Sequence, residues 1–182
     1  MKLGVFGGEF DPPHLGHLAV IRTATAQLGL DRLLVVPAGH PPHRERSRRS
    51  GEQRLALCEA AFGEEAVVEV TDLEVRREGP SYTVDTLEQL AGDGELFLVI
   101  GADQYAAFER WRSPERIREL ATLVVAPRTG FAVGLDAVLL DMAPVDLSSS
   151  ELREAMARGE RVSDKLAASV SELIQRAGMY AF

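Results

Sequence analysis

Six short apolar runs, at residues 3–6, 32–37, 66–70, 95–101, 122–127 and 137–141, set the main constraint on the fold of this chain. Each is too short for a buried helix, and most are bounded by glycine, proline or charged residues, which reads as a set of buried strands. Between them lie helical patterns: from about His14 through Leu18, Ile21 and Leu28, then 53–62, 83–90, 102–120, about 148–158 and roughly 163–177. The stretch 102–120 reads as two pieces broken near Ser113-Pro114, because proline suits the first turn of a new helix. Residues 38–51 read as a loop, 73–75 as an extension of the sheet and 76–81 as a turn. Strands that alternate with helices require right-handed crossovers and a mainly parallel sheet with helices on both faces. The expected fold is therefore a Rossmann-like, doubly wound α/β domain, and 182 residues form one such domain, 1–182. Ligands of such a sheet bind beyond the carboxyl ends of its strands.

Composition narrows the function classes. An apolar fraction of 46% and a charged fraction of 26% are ordinary for a globular protein. No segment is apolar for long enough to cross a bilayer, and the chain enters its first strand within two residues; the expectation is a cytoplasmic protein with no signal peptide and no membrane partner. Cys58, the one cysteine, cannot form an internal disulfide and lies in a helical pattern, so it reads as a core residue in a reducing compartment. A net charge of -8 argues against general nucleic-acid binding, which needs surplus Lys and Arg, but leaves room for a small anion held by local positive charge. Monomer and homo-oligomer fit the sequence alike.

Residues 3–17 carry the densest local signal. The first apolar run stops at Gly7-Gly8, and a helix begins near His14. A glycine turn there bares backbone N–H groups at the positive end of a helix dipole, which suits a phosphate, although such a turn can also be purely structural. His14 and His17 are three apart, so on a first helical turn they share a face and reach one guest. His40 and His43 repeat that spacing, but Pro41-Pro42 forbids a helix, and no Cys or carboxylate completes either pair as a zinc site. Residues 43–50 are basic, and Arg46, Arg48 and Arg49 read as a solvated loop.

Four more segments attract notice. Residues 81–87 begin like a helix capped by Ser81 or Thr83. Trp111, the only tryptophan, sits among Glu109, Arg110 and Arg112 and reads either as core or as an exposed ring platform. Gly101 and Asp103 close the strongest strand, where a ligand is expected, although Asp103 could equally cap the next helix. Residues 147–153 contain a Ser148/Glu151 capping box that is structurally complete in itself.

Gly7-Gly8-Glu9-Phe10-Asp11-Pro12 followed by His14-Leu15-Gly16-His17 resembles the signature of the His-x-Gly-His nucleotidyltransferases. Pro41-Pro42-His43-Arg44, the 81–87 string, Gly101-x-Asp103, the 147–153 string and Gly178-Met179-Tyr180 follow in the order seen in bacterial nicotinate mononucleotide adenylyltransferases. The resemblance implies ATP and nicotinate mononucleotide as substrates, and magnesium carried on the ATP phosphates as cofactor. The products would be nicotinate adenine dinucleotide and pyrophosphate, on the route to NAD. It assigns Gly7, Gly8, Phe10, His14, His17, Gly101, Asp103, Ser149, Ser150 and Arg153 to ATP, with His14, His17 and Arg153 catalytic and Asp103 on the ribose. To nicotinate mononucleotide it assigns His43 and Arg44, beside the phosphates with Arg54 beyond, and also Thr83, Trp111 and Arg112. Amides near Thr83 would meet the pyridine carboxylate, and Trp111 would stack on the ring.

The attacking 5′-phosphate is largely ionised at neutral pH and needs no general base, which agrees with the lack of a Ser-His-Asp or Cys-His set. Arg44 stands where the family has Lys, Ser150 where it has Thr, and Glu9 where it has Ser or Thr. A carboxylate beside phosphates repels them, so Glu9 either points away or weakens triphosphate binding. The rival readings are adenylylation of phosphopantetheine or nicotinamide mononucleotide, and a nucleotide-binding regulator that Glu9 has deprived of turnover.

Overall fold

The computed structural model describes residues 1–39 and 49–180. Its frame is one sheet of six parallel strands: β1 (Lys2–Gly8), β2 (Arg32–Pro37), β3 (Val68–Val70), β4 (Glu95–Gly101), β5 (Ala121–Ala126) and β6 (Val138–Leu139), in the spatial order β3-β2-β1-β4-β5-β6. The doubly wound expectation holds. The order reverses between β1 and β4, which are in register with Phe6 opposite Val99. Their carboxyl ends therefore diverge into connections on opposite faces and open a crevice there.

Alternation along the strands divides the core in two. Val5, Leu98 and Ile100 face a layer made by α3 (Thr83–Leu90), α4 (Ala102–Ala106) and α5 (Pro114–Leu120), through Leu87, Ala102 and Ile117. Phe6, Val35, Phe97 and Val99 face α1 (Leu15–Leu28) and α2 (Gly51–Phe62), through Ile21, Ala24, Cys58 and Phe62. Burial of side chains this size contributes about 1.5–3 kcal/mol each. Cys58 is fully buried, and burial pushes its thiol above its usual range, which makes it a packing residue. A third cluster joins α2 to α6 (Ser149–Ala157) and α7 (Ala168–Arg176) through Leu57, Leu152, Val170 and Ile174. The helices stop where local chemistry stops them. After α1, Gly29 takes φ 61 and its N–H bonds the Thr25 carbonyl, a left-handed cap that glycine adopts without Cβ strain.

Several boundaries differ from the sequence reading. Residues 73–75 are turned, not extended: Arg76 N–H bonds the Asp72 carbonyl, and the buried Glu74 accepts from the Thr86 hydroxyl at 2.8 Å. The helical stretch 102–120 has three pieces, because a 3-10 turn, Phe108–Arg110, separates α4 from α5. The final helix breaks where Leu166 is extended, leaving a turn at Ser163–Lys165 before α7. The last strand shrinks to Val138–Leu139. No described helix is long and apolar enough to cross a membrane.

Candidate active site

The connection from β1 to α1 is built around the two histidines. His14 is the N-cap of α1, and its Nδ1 accepts from the His17 N–H at 3.4 Å while His17 Nδ1 accepts from the His14 N–H at 3.2 Å. This is a capping box in which imidazoles take the places of Ser and Glu. The rings stack at 3.7 Å, and Phe10 meets His17 edge-on at 4.9 Å. Gly16 is required by the packing: a Cβ there would lie 2.5 Å from Val145 Cγ1 and 3.0 Å from His14 Nδ1. Phe10 holds φ 50, a strained value for a side chain with a Cβ, stabilised here by its full burial.

Since each Nδ1 accepts, each neutral ring carries its proton on Nε2. Burial, and then the charge of Arg128, lowers the His14 pKa from 6.5 to about 4; burial, and then His14, takes His17 well below its usual value. Both rings are thus neutral N–H donors at pH 7. The folded pKa lies below the unfolded one, so the stabilisation is present above pH 6.5 and is lost as pH falls from 6.5 through about 4. For His14 the loss is on the order of 3 kcal/mol. Urea unfolding should show stability falling by about that much more over this window in the parent chain than in His14→Asn, which keeps a capping oxygen but cannot titrate. Equal pH dependence would contradict it.

The N-terminus of α6 is moored to the same loop. Ser148 caps it, accepting from the Glu151 N–H at 3.2 Å and donating to Glu151 Oε2 at 2.8 Å. The Ser149 hydroxyl donates to the Pro12 carbonyl at 2.8 Å, and Arg153 donates to the Asp11 carbonyl at 2.7 Å and to Ser150 Oγ at 3.1 Å. The result is a hollow of about 750 Å³ that brings together Gly7, Gly8, Phe10, His14, His17, Gly101, Asp103, Ser149, Ser150 and Arg153, as the sequence suggested.

A second hollow of about 650 Å³ adjoins the first and shares Gly7, Gly8, Glu9, Asp103 and Gln104 with it. It is lined by Thr83, Trp111 and Arg112, and by Ser81, Tyr82 and Glu74. The N-cap of α3 is Tyr82, which makes no side-chain capping bond, rather than Ser81 or Thr83. Ser81 is turned to the Glu74 carbonyl at 3.5 Å. An uncapped helix start favours an anion. Trp111 is half-buried, packing on Phe108 at 5.4 Å while bordering the hollow. Arg112 lies over the Tyr82 ring at 4.5 Å.

Residues 5–155 match the family described as cytidylyltransferase-like. The chain is 39% identical over 186 residues to a Thermus thermophilus protein named probable nicotinate-nucleotide adenylyltransferase, covering 99% of this chain and 100% of that one. A Shouchella clausii protein of the same name is 36% identical, with 98% and 96% covered. The chain belongs to the nicotinate-nucleotide adenylyltransferase family. In fold it is similar to the Plasmodium falciparum nicotinic acid mononucleotide adenylyltransferase solved in complex with NaAD, with a TM-score of 0.81 at 16% identity, covering 100% of this chain and 98% of that one. The same Plasmodium protein complexed with APC gives a TM-score of 0.79 at 16% identity with the same coverage.

Within this family frame, some assignments change. Asp103 does not cap α4; Gly101 does, with Gln104 Oε1 accepting from the Gly101 N–H at 3.1 Å. Asp103 instead pairs with Arg128 at 3.1 Å. Arg128, which the sequence reading passed over, lines the first hollow two residues beyond β5. The rule that singled out Asp103, at the carboxyl end of a central strand, applies equally to it. Arg54 is only 2% exposed and donates to the carbonyls of Glu9, Ala38 and Gly39, so it fastens two loops together and lines neither of these two hollows. Glu9 borders both hollows. His40, His43 and Arg44 lie outside the described residues. Among the described residues, no three His, Cys, Asp or Glu side chains gather as a metal cage.

Proposed function

We propose that this chain transfers the adenylyl group of ATP to nicotinate mononucleotide, forming nicotinate adenine dinucleotide and pyrophosphate. The observation that carries the reading is the pair of hollows sharing one wall, at Gly7 to Glu9 and Asp103 to Gln104, where the strand order reverses. Two nucleotides placed on either side of that wall would meet at their phosphates. The histidines, the α6 N-terminus and Arg153 lie on one side and suit a triphosphate. The uncapped start of α3, Arg112 and Trp111 lie on the other and suit a ring bearing a carboxylate.

The mechanism is then positioning and charge neutralisation, with direct in-line attack of the 5′-phosphate on the α-phosphorus and no covalent intermediate on the protein. His14 and His17 donate neutral N–H groups to the triphosphate as charge builds, and Arg153 with Ser149 and Ser150 holds the departing pyrophosphate. Asp103 takes the ribose when Arg128 turns to phosphate. Magnesium would arrive on the ATP phosphates with its waters, an arrangement that asks for no carboxylate cage from the described residues; when bound it would neutralise phosphate charge.

The test uses ATP made chiral and labelled at the α-phosphorus, with magnesium and nicotinate mononucleotide. Label should pass into nicotinate adenine dinucleotide one for one with pyrophosphate and with inversion. Retention would overturn the single displacement, and loss of ATP without the dinucleotide would overturn the function.

A further inference from the structure

The last described residue contacts the nucleotide loop at the other end of the chain. Tyr180 is 4% exposed, and its hydroxyl donates to Asp11 Oδ1. The Arg49 guanidinium lies over its ring at 4.3 Å. Its backbone sits at φ 60, in the left-handed region that a residue with a Cβ occupies only when its surroundings hold it there. The surroundings are the third core cluster, where the ring joins Leu57, Leu152 and Val170. Asp11 is 1% exposed; its carboxylate faces Tyr180, and its main-chain carbonyl accepts from Arg153 at 2.7 Å. Both Asp11 and Tyr180 border the hollow that holds His14 and His17.

A buried carboxylate in the wall of a polyanion site repels its ligand unless donors hold its charge aside. We propose that Tyr180 is a positioning residue for the triphosphate, holding the Asp11 carboxylate off the phosphates and, through the Asp11 carbonyl, setting the Arg153 guanidinium. The C-terminal Gly178-Met179-Tyr180 segment is thereby part of the nucleotide site. The proposal rests on the adenylyl-transfer reading for the identity of the anion, but its test needs no turnover.

Calorimetric titration of the full chain with ATP and, separately, with inorganic pyrophosphate reads it directly. Tyr180→Phe keeps the ring and removes one hydrogen bond to a charged group, and should weaken both ligands about tenfold. Affinity for nicotinate mononucleotide should stay within about twofold, since the second hollow does not include Asp11 or Tyr180. Adding Asp11→Asn to Tyr180→Phe removes the repelling charge and should restore most of the loss. Unchanged ATP and pyrophosphate affinity in Tyr180→Phe overturns the proposal. So does a loss that falls equally on nicotinate mononucleotide, or one that Asp11→Asn does not rescue. Failure of the adenylyl-transfer reading would appear separately, as an unaltered chain that binds pyrophosphate but makes no dinucleotide.

Discussion

Replacing His14 with alanine is expected to lower kcat/KM by about a hundredfold to a thousandfold, the range for removing one preorganised donor from a developing negative charge. The same substitution removes an N-cap, whose loss typically costs about 1 kcal/mol. The two effects can be separated because asparagine is a good N-cap. His14→Asn should recover the melting temperature of the parent while leaving turnover low, since its amide cannot place a donor where Nε2 stands. The stacked partner, His17, also depends on the His14 main-chain N–H at 3.2 Å, which asparagine retains. If His14→Asn recovered activity together with stability, His14 would be a helix cap and nothing more.

Gly16→Ala should be almost as damaging to activity for a different reason. Alanine would favour the helix by about 1 kcal/mol, but overpacking in a filled interior costs about 1–3 kcal/mol, so a modest net destabilisation wins. The Cβ would stand 2.5 Å from Val145 Cγ1, a stiff β-branched side chain, and 3.0 Å from His14 Nδ1. Displacing the imidazole by an ångström is enough to slow the chemistry about a hundredfold. The double substitution Gly16→Ala with Val145→Ala relieves the closer contact, so unfolding measurements should show stability recovering. Activity should recover only in part, because the contact with His14 persists. Full recovery of both would mean that the glycine serves the Val145 loop alone.

How much of this was legible in the sequence follows from where the information lies. Apolar runs such as 95–101 reveal strands because a strand buried on both faces has no polar positions, and Ser148 with Glu151 reveals a helix start because the cap is local. The Glu74 turn was missed because Leu73 and Val75 alternate like a strand, while the Thr86 hydroxyl that draws Glu74 inward is twelve residues away. Arg54 follows the basic 43–50 stretch in sequence, yet its partners are carbonyls of two other loops, which no local pattern records. The resemblance brought forward some of the residues that line each hollow, but not Arg128, whose place depends on β5 lying beside β4 and so bringing Arg128 to Asp103. The histidine pair is visible in the sequence, whereas its mutual capping, which leaves Nε2 of each ring as the donor, required coordinates.

The central claim is that one hollow presents an adenylyl donor to a mononucleotide whose carboxylate the other hollow reads. The most direct measurement is magnesium-dependent pyrophosphate release from ATP with nicotinate mononucleotide and, in parallel, with nicotinamide mononucleotide. The account predicts kcat/KM higher by about a hundredfold or more for nicotinate, because the uncapped α3 terminus and Arg112 favour an anion that the amide lacks. Equal release with the two would contradict the role given to the second hollow, and release with neither would contradict the function itself.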